Sequence, residues 1–136
     1  MSSLARGSRC ANSGRCDHCV LLFLCAQGEG WIINIGDVEG WHTGAHHPAY
    51  AASKHGLRGW SMSCYEALRD KNIKVTLVSP GNVKSTAMQE ETGKGEGGQG
   101  QIMPEDVAEA CLFPFHLSGN CVPEEIVLKA VRPAHA

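Results

Sequence analysis

The 136-residue chain has no long apolar run. Its longest, residues 20–26, falls far short of the roughly 20 residues that cross a bilayer, which excludes a helical membrane span. It also lacks an excess of either charge. Lys and Arg number 12 against 14 Asp and Glu, and they are scattered, so the sequence carries no footprint for nucleic acid or an anionic membrane surface. The seven cysteines, an odd number spread from Cys10 to Cys121, lack the dense regular spacing of a small secreted disulfide scaffold. Free thiols in a reducing compartment are the simpler expectation. There is no internal repeat, and the length and the apolar fraction of 43% suit one globular domain.

The amino-terminal stretch, residues 1–29, alternates small, polar and Cys residues without a period and reads as an unpatterned segment ahead of a boundary near Gly30. A basic start followed by an apolar run is a minimal secretory pattern, but Gln27-Gly28-Glu29-Gly30 is a poor cleavage region. A cytoplasmic location follows, with organelle import through the acid-free residues 1–15 as the alternative. Cys16-Asp17-His18-Cys19, flanked by Cys10 and Cys25, also admits a zinc or redox module. Against that module, Cys25 sits inside the apolar run and Cys10 in an unpatterned stretch.

From Gly30 onward, strand and helix patterns alternate. Trp31-Ile32-Ile33-Asn34-Ile35 is a short β-branched run ended by Gly36, expected as a strand buried on both faces of a parallel sheet. Across residues 49–71, Tyr50, Lys54, Leu57, Ser61, Cys64, Tyr65 and Leu68 recur at steps of three and four, the stripe of a long helix. Gly56 and Gly59 weaken that helix, which predicts a neighbouring element pressed against its backbone there. Ile73-Lys74-Val75-Thr76-Leu77-Val78 is the next strand, stopped by Ser79-Pro80-Gly81, and completes a βαβ unit. Pro104-Glu105-Asp106 opens a helix running towards Phe113, Pro114 and Ser118-Gly119-Asn120 end it, and Glu125 to Val131 forms a last strand. Between Glu91 and Gln101 lies a Gly-rich polar loop. Its Gly93-Lys94-Gly95-Glu96-Gly97-Gly98 matches G-x-G-x-x-G by accident, because no strand delivers it and no helix follows directly.

Tyr50-Ala51-Ala52-Ser53-Lys54 sets a phenol and an ammonium four residues apart, one turn along one helical face. A free phenol titrates at about pH 10, and a cation within a few ångströms pulls that value down. So tuned, it exchanges protons with a carbonyl or alcohol oxygen. Alone, Y-x-x-x-K is a weak pattern. His42-Thr43-Gly44-Ala45-His46-His47, just upstream, reads as a loop; a metal site there is disfavoured because adjacent imidazoles on extended chain diverge.

The strand ending in Asn34-Ile35-Gly36, the Tyr50 to Gly59 stretch and the loop Pro80-Gly81-Asn82-Val83 together resemble the short-chain dehydrogenase/reductase family in order and spacing, over roughly Gly30 to Val131. That resemblance implies an α/β fold: a partial Rossmann-like, doubly wound parallel sheet in residues 30–136, lacking the amino-terminal nucleotide-binding half. It implies an NAD(P)-dependent oxidoreductase moving hydride between nicotinamide and a carbonyl or alcohol carbon of a small molecule, with NADP slightly favoured and no metal. By resemblance, Tyr50 is the acid/base, and Lys54 lowers its pKa and holds the nicotinamide ribose. Pro80, Gly81 and Val83 pass beside the nicotinamide, and Ser85 or Thr86 stands near its carboxamide. The family serine, thirteen residues before the tyrosine, is replaced by Asp37. A carboxylate only accepts hydrogen bonds, raises a neighbouring phenol's pKa and repels an oxyanion. Three readings stay open: Asp37 is protonated and donates, a shifted register brings in another donor, or catalysis is impaired.

The Gly-rich turn after a first strand, the residue that selects the dinucleotide and an Asn-Ala-Gly stretch are missing from the sequence. A truncated form with poor cofactor affinity of its own is therefore expected. One alternative is a non-catalytic fragment that self-associates or docks on a full-length relative through the 49–71 helix; the other is the Cys-rich zinc or redox module.

Overall fold

A computed structural model describes residues 21–42, 47–84 and 101–131. Three strands form one parallel sheet in the order β1 (Gly30–Ile35), β2 (Ile73–Pro80), β3 (Glu125–Leu128). Helix α1 (Pro48–Leu68) joins β1 to β2 and packs on β2, and α2 (Pro104–Leu112) lies between β2 and β3 in sequence. This is the mixed α/β arrangement expected from the alternating patterns.

The centre of the sheet is β2. Ile73, Val75, Leu77, Val78 and the polar Thr76 and Ser79 are all at most 1% exposed, so this strand is covered on both faces. Successive side chains alternate across a strand. Ile73 and Val75 thus meet Leu68, Cys64 and Tyr65 from α1 on one face. On the other face, the Trp31 indole donates to Thr76 Oγ1 at 3.0 Å and stacks tilted on Phe115, centroids 5.0 Å apart.

Burial on both faces was expected of β1 and belongs instead to β2. Among the described residues β1 pairs with β2 alone; it is half-buried, and Ile35 is 46% exposed. The apolar run marked a strand correctly but could not say which strand would be central.

Other expectations shift at their edges. Strand β2 continues through Pro80, since Pro80 needs no donor at the strand's last position and Gly81 N bonds Leu128 O at 2.8 Å. Strand β3 stops at Leu128, and Val131 is fully exposed. A Cβ built at Gly56 or Gly59 meets nothing within 4 Å, so no element presses on α1 at either glycine among the described residues.

Residues 21–27, placed by sequence in the unpatterned segment, are helical, and Leu21, Leu24 and Cys25 pack against the Leu68, Ile73, Val75 cluster. Gly28 ends that helix with φ +76° and its N–H on Leu24 O at 3.0 Å, the left-handed stop that glycine makes without strain. No described helix is long and apolar enough to cross a membrane.

Candidate active site

Where β1 ends, Gly36 hands the chain to Asp37, and Oδ1 of Asp37 accepts from Glu39 N at 2.8 Å. That bond caps a 3-10 turn, Val38–Gly40, in the manner of Asp at a helix N-cap. The turn then runs down the face of α1. Asp37 lies at Tyr50, Gly40 at Lys54 and Trp41 at Arg58, one helical turn apart at each step. At Gly40 the approach is close: a Cβ there would stand 3.1 Å from Lys54 O, so any side chain would push the turn and the helix apart by a few tenths of an ångström.

Tyr50 and Lys54 point to the same side. The ammonium of Lys54 lies 5.4 Å from the Tyr50 ring centroid and gives one of its three N–H groups to Gly36 O at 3.2 Å. Tyr50 is 44% exposed, open to a reacting molecule. Its hydroxyl donates to Asp37 Oδ2 at 2.9 Å. Burial of the ring, that hydrogen bond, and the charges of Asp37 and Glu39 push the phenol up to about 12. The sequence reading had Lys54 lowering this value. In this geometry the value moves up, first through burial of the ring and then through the carboxylate on the hydroxyl, while the ammonium is turned to a backbone carbonyl. The other carboxylate, Glu39, has a buried Oε2 with no hydrogen-bond partner among the described residues.

The loop after β2 lies beside the same turn. A Cβ at Gly81 would come within 3.8 Å of Val38 Cγ1, so the turn bridges the Tyr50 helix and the Pro80-Gly81 loop. Pro80 is buried, and Val83 pairs with Ile102 in an isolated parallel bridge. The structure therefore brings Asp37 and Tyr50 into hydrogen-bond contact with the Lys54 ammonium 5.4 Å from the Tyr50 ring, and sets Gly81 beside Val38 of the same turn. Ser85, Thr86, the Gly-rich run at 93–98, His46 and the cysteines at 10, 16 and 19 with His18 lie outside the described residues. Cys25 is half-buried against the core, and His42 and His47 are exposed. Among the described residues no three His, Cys, Asp or Glu side chains cluster as metal ligands.

Reasoning from sequence missed four members of this neighbourhood. Gly40 and Glu39 follow Asp37 closely and had no distinguishing pattern. Arg58, one turn beyond Lys54, lay on the expected face and could have been named. Glu125, 67 residues from Arg58, reaches it at 3.0 Å by topology alone.

A nicotinamide dinucleotide, which the resemblance implies, fits the residues present at one end only. Lys54 and the exposed Tyr50 offer donors suited to ribose hydroxyls and a reacting oxygen, but no Gly-rich strand-to-helix turn occurs among the described residues to receive a pyrophosphate.

The chain is similar in sequence and fold to known proteins. Residues 15–97 match the family described as short chain dehydrogenase. A dehydrogenase/reductase SDR family protein 7-like from Anopheles gambiae is 34% identical over 98 residues, covering 65% of this chain and 31% of its own length. D-xylose 1-dehydrogenase of Caulobacter vibrioides is 35% identical over 108 residues, covering 72% of this chain and 43% of its own. Among solved structures, the closed form of serine dehydrogenase complexed with NADP+ superposes with a TM-score of 0.72 at 25% identity, over 85% of this chain and 50% of that one. The chain thus spans between about a third and a half of these relatives. With the βαβ unit, the Tyr50-Lys54 helix and the matched segment in agreement, the chain belongs to the short-chain dehydrogenase family.

Proposed function

We propose that this chain contributes the proton-transfer half of an NAD(P)-dependent oxidoreductase site, acting on a carbonyl or alcohol carbon of a small molecule. The observation that carries the reading is the placement of an exposed phenol, Tyr50, and an ammonium, Lys54, on one face of α1 at the end of a parallel strand. A nicotinamide bound there would supply or accept the hydride.

The rest falls to the chain's own side chains. Tyr50 is neutral at physiological pH, with its pKa at about 12, and so is suited to give a proton to a carbonyl oxygen rather than to take one from an alcohol. To donate, the O–H must turn off Asp37 Oδ2, and Asp37 then becomes an acceptor waiting to receive a hydrogen bond again. Lys54 holds Gly36 O with one N–H and offers the others to a ribose, and Pro80, Gly81 and Val83 lie in the loop that would pass beside the nicotinamide. On the family pattern, Ser85 or Thr86 would stand near the nicotinamide carboxamide. Of the two dinucleotides, NADP is favoured; serine dehydrogenase, similar in fold, was solved with NADP+.

A second reading follows from the outer face of α1, where Gly56 and Gly59 have nothing within 4 Å. Such a face accepts another helix closely, so the chain docks on a complete relative without turning over substrate.

Deuterium transfer from C4-deuterated NADPH to small aldehydes and ketones separates the readings, with the chain assayed alone and mixed with a complete relative inactivated at its own tyrosine. Label in the alcohol, lost in Lys54→Met, supports the enzymatic reading. Co-purification with the relative and no label in any mixture overturns it in favour of docking.

A further inference from the structure

The carboxylate of Glu125, at the start of β3, is only 8% exposed and holds three partners from three different elements. Oε2 accepts from Arg58 Nε on α1 at 3.0 Å. Oε1 accepts from Ser79 Oγ on β2 at 3.0 Å and from the Trp41 indole N–H at the end of the 3-10 turn. The guanidinium of Arg58 in turn lies over the Trp41 ring, 3.7 Å from its centroid. Hydrogen bonds to a charged carboxylate are shorter and stronger than those between neutral groups. Trp41 is 46% exposed, and its partners among the described residues are Glu125 and Arg58.

Trp41 is the last residue of the segment whose first residue is Asp37. The segment is fixed at both ends, by Asp37 on the Tyr50 hydroxyl and by Trp41 on Glu125 and Arg58, with Gly40 flat against Lys54 O between them. These five residues are tied together by their own turn, Gly40 N on Asp37 O at 2.9 Å and Trp41 N on Val38 O at 3.0 Å, so a hold on Trp41 is passed along the backbone to Asp37.

We infer that Glu125 is a positioning residue for the acid/base pair: through Trp41 and Arg58 it clamps the 37–41 turn onto α1 and so keeps the Asp37 carboxylate on the Tyr50 hydroxyl. The inference rests on the acid/base reading of Tyr50 for its functional meaning, but the contact it concerns is read without turnover. Among the described residues the charged groups facing Tyr50 are Asp37 and Glu39 from the turn and Lys54 from its own helix. Those facing Glu125 are Arg58 alone, beside the neutral Trp41 and Ser79. Release of the clamp lets the turn lift, removes the carboxylate from the hydroxyl and leaves Lys54 as the nearest charge.

The test is the ionisation of Tyr50 in the full chain carrying carbon-13 at tyrosine Cζ. The sequence has two tyrosines, so Tyr50→Phe assigns the two resonances. In Glu125→Gln the Tyr50 midpoint is expected to fall by about one unit or more, as a carboxylate contact is lost. Trp41→Phe keeps a ring over Arg58 but removes the N–H bond, and a fall in the same direction is expected; it decides the matter if Glu125→Gln does not fold. Ser79→Ala removes a donor from the sheet side only and leaves the Tyr50 midpoint in place. Tyr50 titrating as in the parent in folded Glu125→Gln and in Trp41→Phe overturns the inference, as does an equal fall in Ser79→Ala. An absence of hydride transfer, by contrast, would count against the enzymatic reading and leave this contact untouched.

Discussion

The phenol of Tyr50 gives its hydrogen to Oδ2 of Asp37 across 2.9 Å, while Oδ1 of the same carboxylate caps the turn that follows β1. One side chain therefore shapes the backbone beside the site and, second to burial of the ring, raises the pKa of its central hydroxyl.

The first consequence concerns activity. Serine in place of Asp37 donates as well as accepts, and removes a charge that would oppose an oxyanion. Asp37→Ser is expected to leave carbonyl reduction equal or higher, measured as the initial rate of NADPH oxidation in the mixture that shows transfer. A loss of about tenfold or more, roughly 1.4 kcal/mol of barrier, would show the carboxylate taking part.

Stability at high pH follows from the same contact. Tyr50 in the folded chain holds its proton to about 12, against about 10 for an unfolded tyrosine. Below the lower value both states keep the proton and the folded-state preference is fully present. As pH rises from about 10 through about 12, the unfolded chain ionises first and the contribution is lost. The urea midpoint should therefore fall over that window by more in the parent than in Tyr50→Phe. Parallel curves would refute the raised pKa.

Gly40 offers a steric check on the turn. A methyl group there would stand 3.1 Å from Lys54 O, a backbone atom that cannot move without disturbing α1. Gly40→Ala is expected to lower unfolding free energy by about 1–3 kcal/mol, the usual range for overpacking, read from denaturant melts. A neutral or stabilising result would mean that the turn is free to lift.

The order of elements and the Tyr50-Lys54 pair were legible in the sequence because each rests on local periodicity. Ile73 to Val78 announces a strand by composition, and a step of four from Tyr50 to Lys54 puts both on one face of a helix. What the sequence withheld was long-range. That β2 rather than β1 is central depends on strand order, and the Glu125 to Arg58 bridge depends on which chain segments meet. The replacement of a serine by Asp37 was visible and its direction on the phenol was foreseen, but the competing pull of Lys54 was overestimated. Its ammonium is directed to Gly36 O, an orientation fixed only by the path of the chain after β1.

The turn between β1 and α1 is thus where the account stands or falls, and the Tyr50 proton reports on it directly. Carbon-13 tyrosine spectra of the unaltered chain, taken with those of Asp37→Asn, read that proton without any substrate. The account predicts that Tyr50 in the parent stays protonated to about 12 and that Asp37→Asn brings its midpoint down. A parent midpoint at or below the ordinary value of about 10, unchanged in Asp37→Asn, would show Lys54 in command of the phenol and contradict it.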